Sequence, residues 1–259
     1  MAYVIRALPV NYNFRIFAVE CRDVIEEVRK IQGLSPVASA ALGRALAGVA
    51  LLSADLKTGK ILIQINGGGP LGEILAEGDY QGNLRGTVQH PDVDIKPIDK
   101  KLPVGKAVGK NGYISVVKDL GLKEVYQSSA QLVSGEIAED LAYYLTVSEQ
   151  IPSAVALGVL VNTDGSILSA GGIMIQKLPD ATEEEITFLE KKLKEFPPVT
   201  SLLSQNKTPE EILEMLFEKI EVLEKREIRY RCSCNMERVE RALVALGKEE
   251  LEKIIKENL

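Results

Sequence analysis

The sequence contains no tryptophan, a single histidine (His90) and only 5% aromatic residues across 259 positions. A protein that grips nucleobases or sugars by stacking usually carries more aromatic surface. One histidine, followed directly by Pro91, leaves a histidine-dependent triad or a histidine-rich metal site hard to build, and His90 reads as a turn residue. No Gly-Lys-Ser or Gly-Lys-Thr occurs, which excludes a P-loop, and no G-x-S-x-G elbow is present. The chain is expected not to be an enzyme.

Positive charge is also short. Lys and Arg number 31 against 37 Asp and Glu, for a net charge of −6. Nucleic-acid binding needs basic residues concentrated on one face to displace counterions. The longest basic stretch, Arg226–Arg231, is interrupted by Glu227, so no nucleic-acid partner is expected. Residues Met1 to Arg6 lack the basic head and apolar core of a signal peptide. The most apolar stretch, Pro36 to Leu52, contains Arg44 and falls short of the roughly 20 residues that span a bilayer. It reads as a buried core helix. No membrane partner is expected, and the location expected is the cytoplasm, where structural disulfides are rare.

Within these bounds the pattern is α+β. Residues 1–178 mix strand and helix signals without regular alternation, as in an N-terminal mixed sheet-and-helix domain. Phe14, Ile16 and Ala18 alternate as a strand, as do Ile61, Ile63 and Ile65; Val155–Val161 and Gly172–Gln176 read as buried strands. Ser35-Pro36 opens a helix rich in small residues, and a second helix fits Glu136 to Val147 with Ser134 as its N-cap. From Pro179 the character changes. Residues 179–225 carry two capping boxes, Thr182 with Glu185 and Thr208 with Glu211, on amphipathic stripes ending at Ile220. This helical linker is either a hairpin that completes the core, which the pattern favours, or an element able to detach. Residues 226–259 alternate through Ile228, Tyr230, Cys232 and Cys234, then form an Asn235-capped helix closed by Gly247 and a last helix. A tail of this size usually needs a metal or a disulfide to hold it.

Two motifs could carry chemistry. Gly67, Gly69 and Gly72 satisfy G-x-G-x-x-G after a strand, with Asp92 beyond, which raises a nucleotide-dependent oxidoreductase as an alternative. Pro70 inside the motif, and Gly78 and Gly82 after it, argue against the helix N-terminus a pyrophosphate needs and favour a glycine-rich turn. The Cys232-Ser233-Cys234 pair is the stronger signal. Two thiolates can clamp one soft metal ion, but supply only half of a tetrahedral zinc site. A disulfide within the pair spans Cα atoms about 6.6 Å apart in an extended strand, at the upper limit for that bond, and would be strained and easily reduced. Nearby Arg229, Arg231 and Arg238 favour thiolate. Cys21 stands alone in an apolar run and reads as a small buried hydrophobe.

Longer stretches resemble a known family. Arg6-Ala7-Leu8, Gln64-Ile65-Asn66-Gly67-Gly68-Gly69-Pro70-Leu71-Gly72, Gly78-Asp79-Tyr80-Gln81-Gly82, Ser134-Gly135-Glu136-Ile137-Ala138-Glu139-Asp140 and Ala170-Gly171-Gly172 resemble the redox-regulated heat-shock chaperones called heat-shock protein thirty-three. Cys232-Ser233-Cys234, with Glu237-Arg238 and Ala242-Leu243, is similar to the start of that family's redox-switch region. The resemblance implies an ATP-independent holdase that binds unfolded or partly folded client proteins after oxidation. It implies that Cys232 and Cys234 are zinc ligands when reduced and a disulfide when oxidised, that zinc release loosens the switch region and linker, and that the active form is a homodimer. The family's second cysteine pair, of C-x-x-C form, has no counterpart in these 259 residues. Zinc binding by this sequence is therefore expected to be weak or absent.

Overall fold

The computed structural model describes residues 1–98, 101–232 and 236–257. The chain opens with an antiparallel hairpin, β1 (Tyr3–Pro9) and β2 (Phe14–Glu20). Helix α1 (Arg22–Gln32) follows and ends at Gly33 in the left-handed conformation, φ 63°. Helix α2 (Pro36–Ser53) starts where the Ser35 hydroxyl accepts the Ala38 N–H, with Pro36 pre-set at the first helical position. Next come β3 (Lys60–Asn66), β4 (Ile74–Asp79), β5 (Asn83–Val88), the short α3 (Val104–Val108), β6 (Tyr113–Asp119), β7 (Tyr126–Gln131), α4 (Ile137–Val147), β8 (Ser153–Val161) and β9 (Ile167–Lys177). Helices α5 (Glu183–Lys194), α6 (Val199–Ser204) and α7 (Pro209–Phe217) precede β10 (Ile220–Glu227), the two-residue β11 (Arg229–Tyr230), α8 (Met236–Leu246) and α9 (Lys248–Glu257).

The strands make two sheets, confirming the α+β class. One has the order β10-β1-β2-β9-β8 and the other β11-β5-β4-β3-β6-β7. Every pairing is antiparallel except β11 with β5. Helix α2 packs on β2, β8 and β9 of the first sheet and on β3, β4 and β5 of the second. Of its residues 89% are buried, so the apolar run is a core helix. Its small residues allow that close approach. A Cβ on Gly43 would stand 2.7 Å from Val159 Cγ2, closer than atoms pack. The alternation of Ile61, Ile63 and Ile65 puts these three into the core while Leu62 and Gln64 face outward.

Several expectations need correction. Ser134 does not cap α4: its hydroxyl accepts the Glu136 N–H, and Glu136 itself holds the N-cap position. Strand β8 is half-buried for most of its length rather than buried. Helicity in residues 179–225 ends at Phe217, and Ile220 belongs to β10, which hydrogen-bonds β1 along its whole length. Ile220 thus lies on a sheet edge rather than on a helical stripe. Both capping boxes form as expected, with Thr208 and Thr182 accepting the Glu211 and Glu185 N–H groups. The Asn235 cap falls outside the described residues.

A covered sheet face and the Cys232 segment

Across β1, β2 and β9 the five-stranded sheet buries apolar side chains on both faces. Its inner face joins α2 in the main core. On its outer face Ile5, Ala7, Phe14, Ile16, Ala18, Ile173 and Ile175 form a second core with Leu189, Val199, Leu202, Leu203, Ile212, Leu213, Leu216 and Phe217 of α5–α7. The linker helices are therefore a lid over a sheet face that would otherwise meet water. Aromatic rings pin the lid at the β1–β2 turn: Tyr12 stacks on Phe188 at 4.8 Å, and Phe217 lies 5.7 Å from Tyr12 and 6.0 Å from Phe14. The Glu185 carboxylate accepts the Asn13 N–H at 2.7 Å at the same corner. The lid is imperfect along β8. There a groove of about 330 Å³ opens between Ala154, Ala156, Ile173 and Ile175 on the sheet and Phe196, Pro197 and Pro198 above.

The lid is tied in sequence to the cysteine segment. From α7 the chain runs into β10, and from β10 it crosses to the second sheet. Ile228 is buried and donates its N–H to Ala2 O at 3.1 Å. The Arg229 N–H reaches Gly82 O at 3.0 Å, and the Arg231 N–H reaches Leu84 O at 2.9 Å. Cys232 follows, exposed, at the rim of a groove of about 340 Å³ on the outer face of the six-stranded sheet, beside Leu62, Leu75, Thr87 and Tyr230. Cys234 lies outside the described residues, so the structure places one member of the expected pair. The Arg229 Nε donates to Asn83 Oδ1 at 2.9 Å.

The remaining sequence candidates resolve as structure. Cys21 is fully buried at the start of α1, and burial pushes its thiol well above the ordinary range. Gly67 and Gly69 pack backbone to backbone against residues 107–109, where any Cβ would overlap a main-chain atom. The chain after Gly72 enters β4, so no helix N-terminus receives a phosphate there. His90 and Asp92 lie in an exposed connection after β5. Among the described residues no group of three or more His, Cys, Asp or Glu side chains is placed to hold a metal ion. Sequence reading missed the two-sided sheet. The signal was present in β2 and β9, where near-continuous apolar runs mark strands buried on both faces.

Comparison with known proteins places this architecture. The 33 kDa chaperonin of Caldanaerobacter subterraneus subsp. tengcongensis is 46% identical over 260 residues, covering 98% of this chain and 88% of the relative. The 33 kDa chaperonin of Bacillus subtilis is 43% identical over 261 residues, covering 100% and 90%. The crystal structure of the 33 kDa chaperonin (heat shock protein 33 homolog) from Thermotoga maritima matches with a TM-score of 0.89 at 39% identity, over 99% of this chain and 89% of that one. The family model described as Hsp33 protein matches residues 2–259, and with these relatives it makes this chain a member of the Hsp33 family, a chaperone and not an enzyme.

Proposed function

We propose that this chaperone is an ATP-independent holdase whose client-binding surface is the outer face of the five-stranded sheet, controlled by oxidation of Cys232 and Cys234. The observation that carries the reading is the lid. Among the described residues a continuous apolar surface across β1, β2 and β9 is covered by α5–α7, and the chain leaving α7 leads through β10 and β11 to Cys232. Unfolding polypeptides expose apolar side chains, so this face has the chemistry to hold them. The three regions then have separate roles: 1–178 as body, 179–225 as lid with its connecting strand, and 226–259 as switch.

In the oxidation step, peroxide takes two electrons from the two thiols. One S–S bond forms between Cys232 and Cys234, the O–O bond breaks, and two waters leave with the thiol protons. Closing that short ring bends the backbone directly after β11. In the reduced chain Cys232 and Cys234 would supply two thiolates to a zinc ion. Two thiolates fill half of a tetrahedral site, Cys21 is sealed in the core, and no other ligand cluster forms among the described residues. The active form is proposed to be a homodimer in the cytoplasm, with no nucleic-acid or membrane partner.

Co-sedimentation tests the function. After peroxide and heat, without nucleotide, the chain should keep a thermally unfolding client in the supernatant as a soluble complex. The Cys232→Ser/Cys234→Ser variant should not. A client that pellets equally with and without the oxidised chain would contradict the proposal.

A further inference from the structure

Strand β10 lies between the lid and the Cys232 segment, and its side chains grip both faces of β1. On the outer face, Lys225 lies 3.9 Å from the centroid of the Tyr3 ring and 2.9 Å from Glu210 Oε1 of α7. The Tyr3 hydroxyl donates to Glu210 Oε2 at 2.6 Å. One carboxylate thereby joins β1, β10 and the lid. On the inner face, Arg226 donates to Ser53 O at 3.0 Å, at the end of α2, and to Leu56 O at 3.3 Å, in the connection after it, and pairs with Glu224. Glu224 in turn meets Arg6 at 3.4 Å, and Arg6 and Arg15 share Asp55 at 2.9 and 2.5 Å. By contrast β11, the element next to Cys232, pairs over two residues only.

We infer that β10 is a gate held by two ionic clasps, Tyr3–Glu210–Lys225 outside and Arg6–Asp55–Glu224–Arg226 inside, and that their opening sets the threshold at which the lid leaves the sheet. The inference rests on the proposed function, because it names the regulation of that same surface. Loss of β11 alone removes two paired residues and leaves β10 fastened. The lid then stays anchored at the start of α7 through Glu210. Release requires both clasps to open, and these are the charged, partly exposed contacts of the β1–β10 ladder. Tyr3, Lys225, Glu210, Glu224 and Arg226 are positioning residues: they act on the client surface through β10 and do not touch the client.

The test is hydrogen exchange in the reduced 259-residue chain, read over residues 209–227 and compared with α2. Lys225→Met keeps the aliphatic stem and removes the charge. Glu210→Gln and Glu224→Gln keep shape and remove the carboxylates. Each should speed exchange in 209–227 about tenfold, the factor expected for losing one charge-assisted hydrogen bond, while α2 is unchanged. Lys225→Arg should restore protection. Raising salt to 1 M, where the screening length is about 3 Å, should speed exchange in the parent chain and have little further effect in Glu210→Gln/Lys225→Met. In oxidised protein the same variants should hold clients at a lower temperature than the parent. Unchanged exchange in 209–227 in all three variants, or faster exchange spread equally over α2, would overturn the gate. Because exchange is read without client or oxidant, this result stands apart from failure of the holdase reading, which shows as no client held at any temperature.

Discussion

Cys21 and Cys232 carry the same thiol in opposite surroundings. Cys21 has no exposed surface, and burial disfavours its thiolate, the reactive form. Cys232 is exposed. A thiol reagent applied to the native reduced chain should therefore label Cys232 and leave Cys21 unmodified until denaturant is added; labelling of Cys21 in the folded protein would contradict its core placement. Glu26 shows the same logic for a carboxylate. Its oxygens accept from Arg29 at 2.7 and 2.9 Å, and Oε2 also accepts the Ile167 N–H at 3.0 Å, tying α1 to the start of β9. The Arg29 guanidinium is the main cause that lowers its pKa from 4.5 to about 2. A depressed carboxylate stabilises the fold above its unfolded pKa and loses that stability as pH falls through the folded one. The stability advantage of the parent chain over Glu26→Gln should thus be present above about pH 4.5 and fade towards pH 2, followed by denaturant melts.

Among the elements, those whose signals are local were legible in the sequence. Ser35, Thr182 and Thr208 cap the helices they were expected to cap, because an N-cap hydrogen bond, with or without a capping box, is complete within four residues. Helix α1 was not read, and its start explains why: Cys21 occupies the N-cap position and makes no side-chain capping bond. Strand β10 was hidden for a different reason. Its run from Glu221 to Glu227 is polar and charged, like the helices before it, and it becomes a strand only through pairing with β1, more than two hundred residues earlier in the chain. The client-face candidates were missed likewise, since a sheet buried on both sides is defined by what packs on it. The lid itself depends on Phe217, which is 2% exposed and meets both Tyr12 and Phe14. Phe217→Ala should weaken the lid by about 3–5 kcal/mol, the usual cost of such a truncation. The loss should appear as faster hydrogen exchange in α5–α7 and as partial client holding without oxidant. A lid as well protected as in the parent chain would count against its dependence on that ring.

For the whole molecule, the arrangement among the described residues is a body of two sheets around α2, a layer of helices on one apolar sheet face, and the Cys232 segment paired to the edge of the other sheet. The fold class and the chaperone family were legible from the sequence because both follow from stretches spread along the chain. The site was half legible. Cys232 lies exposed directly after β11, whereas the surface we propose it controls emerges only from the packing of α5–α7 on β1, β2 and β9. The central claim is that oxidation and heat uncover that surface while the body persists. The measurement that reaches it most directly is hydrogen exchange by mass spectrometry on the oxidised, heated chain in complex with a client. The account predicts loss of protection across residues 183–217, with α2 and the strands of the six-stranded sheet still protected. A client held while residues 183–217 stay as protected as in the reduced chain would contradict it.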